Sequence, residues 1–158
     1  IFFQEKNKTT GGIKMKSIQK VCHVMAVLVA ISILFSGCGN NKTDPEKFRE
    51  AKEKIVSENV ENLVLVNTKN ICKKTLIEND VTVKDVFINA FSMDGQCYTE
   101  AHVLTEDSEY KVFRIKTKMS GPLYTALTKG YAGNYQQDLE EYLSNVNPTL
   151  DGNYIYFD

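Results

Sequence analysis

The stretch CYTEAHVLTEDSEYKVFRIK, residues 97–116, carries the clearest structural signal in the chain. Cys97, Thr99, Ala101 and Val103 alternate with Tyr98, Glu100, His102 and Leu104, the period of two that sends successive side chains to opposite faces of a strand. After Thr105-Glu106-Asp107-Ser108 a second run, Lys111 to Lys116, alternates again, with Phe113 and Ile115 set toward a core and Arg114 and Lys116 toward solvent. Two alternating runs joined by a short polar loop predict an antiparallel hairpin. The rest of the domain has to be built around it.

Toward the C-terminus, Gly121-Pro122 breaks the strand pattern and Leu123 to Lys129 reads as a short helix. Tyr131-Ala132-Gly133 is a turn, and from Asn134 the positions Tyr135, Leu139, Tyr142 and Leu143 keep helical spacing, predicting a helix to about Ser144. Asn147-Pro148 and Asp151-Gly152 bracket a loop before a terminal strand, Tyr154-Ile155-Tyr156-Phe157.

Toward the N-terminus, Val83, Val86, Phe87, Ala90 and Phe91 fall at i, i+3, i+4, i+7 and i+8. Thr82 and Asp85 fit a variant of the capping box and Asp94-Gly95 offers a stop, so a helix is expected from Val83 to Met93. Leu63-Val64-Leu65-Val66 reads as a short strand, with Ile71 to Ile77 as a second. Asp44-Pro45 looks like an N-cap followed by proline at the first helical position. Phe48, Ala51 and Ile55 then recur at spacings of three and four among crowded charges, and Glu50 and Lys54 form an i,i+4 pair in the favourable order. The charge run is the solvated face of that helix. The fold class expected is α+β: a small antiparallel sheet with helices packed on one face, forming a single domain over residues 45–158.

The segment in front of this domain has a different character. Val21 to Leu34 is apolar except for His23 and Ser32. At 1.5 Å per residue it spans roughly 21 Å, short of the roughly 30 Å that a membrane-spanning helix must cross, so it reads as the apolar helix of a signal peptide, with Lys16 and Lys20 as its positive start. Leu34-Phe35-Ser36-Gly37-Cys38-Gly39-Asn40 follows and resembles the lipobox of bacterial lipoproteins, in which small residues precede an obligatory cysteine. Phe35 departs from the leucine usual three positions before it. The resemblance covers roughly residues 15 to 40. It implies diacylglyceryl transfer to the Cys38 thiol, cleavage after Gly37, and a lipid anchor on the extracytoplasmic face of the cell membrane. The alternatives are a signal anchor with an incidental cysteine or an ordinary secretory signal cut elsewhere.

On that reading residues 15–37 are the signal peptide, 38–44 a tether, and residues 1–14 an upstream stretch from a misassigned start, with Met15 as the first residue. Gly11-Gly12 can be encoded as a purine-rich ribosome-binding sequence, and Ile13-Lys14 as its spacer. Finding residues 1–14 on the precursor by mass spectrometry would remove this idea. The tether reaches at most about 20 Å when extended, which keeps the domain near the membrane. The order of helix, Asp-Gly and hairpin from Thr82 to Lys118 is also similar to a small domain in lipoproteins of Gram-positive gut bacteria, a likeness that implies the same α+β arrangement and no function.

Cleavage after Gly37 leaves 121 of the 158 residues, enough for one modest core, and with no tryptophan that core is built from Phe, Tyr, Ile, Val and Leu. Five of the 19 basic residues and one of the 20 acidic ones precede Cys38, so the mature part has 14 basic and 19 acidic residues and a formal charge of −5. Nucleic acid as a partner is disfavoured, because phosphate neutralisation needs clustered Lys and Arg. The partners expected are the membrane, through the lipid, and a protein or glycan.

Chemistry-bearing residues are sparse. His102 is the mature domain's one histidine, and a lone strand histidine is usually solvent-facing or hydrogen-bonded rather than catalytic. No catalytic residue, metal ligand or cofactor is expected. Cys72 and Cys97 are the two thiols left beside Cys38. They either pair across a loop of about 25 residues, contributing about 3 kcal/mol, or remain small buried hydrophobes. The unusual feature is tyrosine: Tyr124, Tyr131, Tyr135, Tyr142, Tyr154 and Tyr156 place six of eight in the last 35 residues. Tyr124, Tyr131, Tyr135, Tyr154 and Tyr156 are candidate ligand contacts, since a rigid ring with a polar tip gives contact area at small entropic cost. Core and rim packing in place of tryptophan is the other reading. Function is then that of a tethered binding module, or alternatively an envelope hydrolase using paired carboxylates; a purely structural role near the membrane is a third reading.

Overall fold

Thr43 stands immediately before the first helix. Its backbone N–H and its hydroxyl both donate to the Glu46 carboxylate, at 2.8 and 2.9 Å, fixing the start of α1 (Asp44–Val56). The N-cap is thus Thr43, and Asp44-Pro45 sits one position further in than the sequence reading places it. In the computed structural model, which describes residues 41–158, α1 is followed by α2 (Leu63–Glu78), β1 (Val83–Met93), β2 (Gln96–Thr105), β3 (Tyr110–Thr117) and α3 (Ser120–Lys129). A single 3-10 turn at Gly133–Tyr135, α4 (Gln136–Asn145), β4 (Pro148–Asp151) and β5 (Tyr154–Phe157) complete the chain. The signal segment and Cys38 lie outside the described residues.

The five strands form one sheet in the order β1-β2-β3-β5-β4. It is mixed, not purely antiparallel as expected, because β5 returns beside β3 in parallel after the crossover through α3 and α4. The α+β class stands. The hairpin of residues 97–116 is present as β2 and β3, paired Thr99 to Ile115 and Ala101 to Phe113, and Phe113 and Ile115 are buried as expected. The two short helices expected there form, but α3 begins at Ser120 and takes Gly121-Pro122 into its first turn, and α4 begins at Gln136 after the 3-10 turn; the terminal strand is β5. The loop expected between Asn147 and Gly152 is instead β4, an edge strand hydrogen-bonded to β5.

Two regions reverse the sequence reading. Residues 83–93 are strand β1, not a helix, and Asp94-Gly95, read as a helix stop, is the two-residue turn of the β1–β2 hairpin, with φ of 52° and 74°. Residues 63–78 are one helix, not two strands. Asn62 caps it by accepting the Leu65 N–H at 2.9 Å. Its buried stripe is Val64, Thr68, Cys72, Thr75 and Leu76, two of whose members are threonines that return their hydroxyls to the carbonyls of Val64 and Ile71. A polar residue satisfied within its own helix can be buried at small cost, and it hides the apolar period from a reader of the sequence.

The helices do not all lie on one face. Val86, Ile88, Ala101, Val103, Phe113, Ile115, Ile155 and Phe157 join Leu76, Leu123, Leu127 and Leu139 in the main core, which α2, α3 and α4 close. Phe87 and His102, paired across β1 and β2, point the other way, and there α1 lays Phe48 against Phe87 and Tyr110 at ring separations of 5.2 and 5.6 Å. Phe48, Phe87 and Leu104 make a small second core. The expectation of a one-sided packing fails because Phe87 and Leu104 present an apolar patch on the second face that must also be covered.

Cys72 and Cys97 are free thiols in the structure. Cys72 is fully buried on α2, where the loss of solvent drives its pKa far above the usual thiol range, and Cys97 is half-buried at the start of β2 opposite Ser92. No helix among the described residues is long and apolar enough to cross a membrane.

Candidate functional site

Among the described residues, α1 alone covers the second sheet face, and only at one end. The strand register fixes what the other end presents. Glu100, Arg114, Tyr154 and Asp151 form one rung across β2, β3, β5 and β4. Phe91 and Tyr98 share the next rung, as do Lys116, Tyr156 and Thr149. These side chains lean on one another. Phe91 stacks on Tyr98 with ring centroids 5.4 Å apart, and Arg114 lies 5.2 Å over the Tyr98 ring. Lys116 Nζ lies 5.3 Å over Tyr154, which is itself 6.2 Å from Tyr156. A cation over an aromatic face is attracted by the ring quadrupole, so these contacts order the row within the sheet face itself.

A polar chain runs from beneath α1 into this open half. The Tyr110 hydroxyl is 2.6 Å from His102 Nδ1, and His102 Nε2 is 3.4 Å from Glu100 Oε2. Glu100 Oε1 lies 3.4 Å from the Arg114 guanidinium. The imidazole is stacked on Phe87 and 8% exposed, and Nε2 makes no hydrogen bond. Burial pulls the His102 pKa below its ordinary value, opposed in part by the Glu100 charge, while burial and then the same charge push the Tyr110 pKa up. A shallow cavity of about 260 Å³ opens between Glu100, Val112, Arg114, Asn153 and Tyr154. His102 is a hydrogen-bonded strand histidine, one of the two readings that the sequence offers, and its bond is to Tyr110.

The candidate tyrosines divide. Tyr154 and Tyr156 are on the open sheet face. Tyr131 and Tyr135, 62% and 55% exposed, sit on the connection between α3 and α4, and Tyr124 is half-buried on α3, so these three belong to the helical layer and do not join the others. Tyr142 is structural: its hydroxyl donates to the Phe157 carbonyl and accepts from Thr117, tying α4 to the sheet. The residues missed are Phe91, Tyr98, Glu100, Arg114 and Lys116. The alternation of residues 97–104 already places Tyr98, Glu100 and His102 on one face; the signal lacking was that no helix among the described residues covers that end of it. Among the described residues no three His, Cys, Asp or Glu side chains converge as a metal site. No family model, curated protein or solved structure matches the chain.

Proposed function

We propose that this chain is a lipid-anchored extracytoplasmic binding module, held to the cell membrane through Cys38, that takes a protein or glycan partner on the open half of its sheet. The observation that carries the binding reading is the uncovered row of Tyr98, Arg114, Lys116, Tyr154 and Tyr156. Flat aromatic rings offer sugar rings or apolar side chains a rigid surface, and the two cations beside them supply directional donors. The lipid-anchor part rests on the lipobox resemblance and on the closeness of α1 to Cys38, which leaves only the short stretch 39–43 between them. Two acyl chains would hold such a domain stably, since each buried CH₂ contributes about 0.8 kcal/mol and one chain alone binds weakly.

The hydrolase alternative requires two carboxyl groups in unlike environments across a substrate. Glu100 lies against His102 and Arg114, which favours a held carboxylate over an acid and base pair.

Intact mass and detergent partitioning of the expressed chain beside a Cys38→Ser variant test the anchor. A diacylated form starting at Cys38, lost with the variant, is expected; an unmodified soluble product removes the anchor. Co-sedimentation with purified peptidoglycan and capture on an oligosaccharide array test the partner, with Arg114→Ala and Tyr154→Ala expected to lose binding and Tyr131→Ala to retain it. Equal loss in all three, or release of soluble fragments from the glycan by the unaltered chain, contradicts the binding reading.

A further inference from the structure

α1, the connection 57–62 and the first two turns of α2 surround a cavity of about 320 Å³ that has residues 85–88 of β1 as its floor. The floor is already satisfied. The Asn59 amide donates to the Ile88 carbonyl at 2.9 Å, and the Val86 N–H donates to the Asp85 carboxylate at 2.8 Å, so the edge of β1 is closed there. The walls are of two kinds. Val56, Leu65 and Val66 make an apolar side, and four charged groups, two of each sign, make a polar one.

The four charges are not equivalent. Lys52 Nζ lies 2.5 Å from Asp85 Oδ2, so these two answer each other. The other two, Lys69 and Glu61, make no ion pair among the described residues, although both line the cavity and Lys69 is half-buried. Glu61 precedes the N-cap of α2 and Lys69 lies in its second turn, eight residues on. Side chains meet along a helix at spacings of three or four, and two turns amount to roughly 11 Å, so this ammonium and this carboxylate stand apart at the cavity wall. A ligand with a single charge would answer one of them and leave the other unmatched. A ligand carrying both charges answers both.

We propose that this cavity is a second binding site, which takes a small zwitterion of the class of an apolar α-amino acid. The ligand carboxylate pairs with Lys69, its ammonium pairs with Glu61, and its side chain rests on Val56, Leu65 and Val66. Charge-assisted hydrogen bonds at the two ends fix the orientation, and the apolar wall selects the side chain. The volume lies at the lower end of the range of about 300–1,000 Å³ usual for small-molecule sites, which suits a single compact ligand. None of these residues belongs to the open half of the sheet, so this site and the one proposed there stand or fall separately.

The test is calorimetric titration of the full chain with three probes: L-leucine, L-leucinamide, which lacks the carboxylate, and N-acetyl-L-leucine, which lacks the ammonium. L-Leucine is expected to bind saturably, and each analogue at least roughly tenfold more weakly. Lys69→Met should abolish the preference for L-leucine over L-leucinamide, and Glu61→Gln the preference over N-acetyl-L-leucine, while Tyr154→Ala keeps both. No saturable binding of L-leucine at millimolar concentration, or equal affinity for the three probes, overturns the proposal. Preferences that survive in both cavity variants, or that vanish in Tyr154→Ala, do so too, since the ligand would then sit elsewhere.

Discussion

The two faces of the sheet are built to different standards. One is sealed by α2, α3 and α4 over a continuous aliphatic core in which Leu76, Leu123, Leu139, Ile155 and Phe157 have no exposed surface. The other is closed at one end by α1, through a cluster of three buried residues, and is open at the other. The sealed face stabilises the fold, and the half-open face presents Tyr98, Arg114, Lys116 and Tyr154. Substitutions on the two faces should therefore differ in kind as well as in size.

Leu76→Ala, in the sealed core, should cost about 4 kcal/mol of global stability, read as a lower urea midpoint with an unchanged slope. A loss below about 1 kcal/mol would mean that the core relaxes around the cavity and that α2 is not its keystone. Phe48→Ala removes the one fully enclosed side chain of α1 and should cost about 3 kcal/mol, with a distinct signature: the α1 amides should exchange by local opening while those of α2 keep their protection. Loss of protection in both helices together would make the two faces one cooperative unit.

The boundary between the closed and open halves should respond to pH through His102. Burial depresses the folded-state pKa of His102 below 6.5, so the unfolded chain binds its proton first. The stability this contributes is fully present above about pH 6.5 and is lost as pH falls through the folded-state pKa. Asp44 and Glu46, held below their ordinary values by Lys47 with Tyr110 and by Thr43, act in a lower window, present above 3.8 and 4.5 and lost on further acidification. Urea midpoints should decline between pH 7 and 5, and His102→Gln should flatten that decline. An unchanged slope in the variant would place the titrating group elsewhere.

The same contrast between faces explains which elements were legible. β2 and β3 alternate cleanly because their second face runs into the open half, where polar residues such as Glu100, Arg114 and Lys116 are tolerated. β1 has both faces covered, by the main core at Val86 and Ile88 and by α1 at Phe87, so Val-Phe-Ile loses alternation and mimics a helix. α2 fails for the opposite reason, since Thr68 and Thr75 occupy core positions and interrupt its apolar stripe. α1 was readable because its stripe is narrow and its other faces are charged. In the candidate site, Tyr154 and Tyr156 were legible as candidate contacts, the first exposed and the second half-buried; Arg114, Glu100 and Tyr98 become a site only through the register of β3 against β2 and β5, which is a long-range property.

The smallest effect on stability is the most telling. Tyr154 is 40% exposed, and its neighbours are Tyr156 and the Lys116 ammonium. If the open half is kept for a partner and not for the fold, urea denaturation of Tyr154→Ala should place it within about 0.5 kcal/mol of the unaltered chain. A loss above about 2 kcal/mol would make the tyrosine row a packing device and contradict the account.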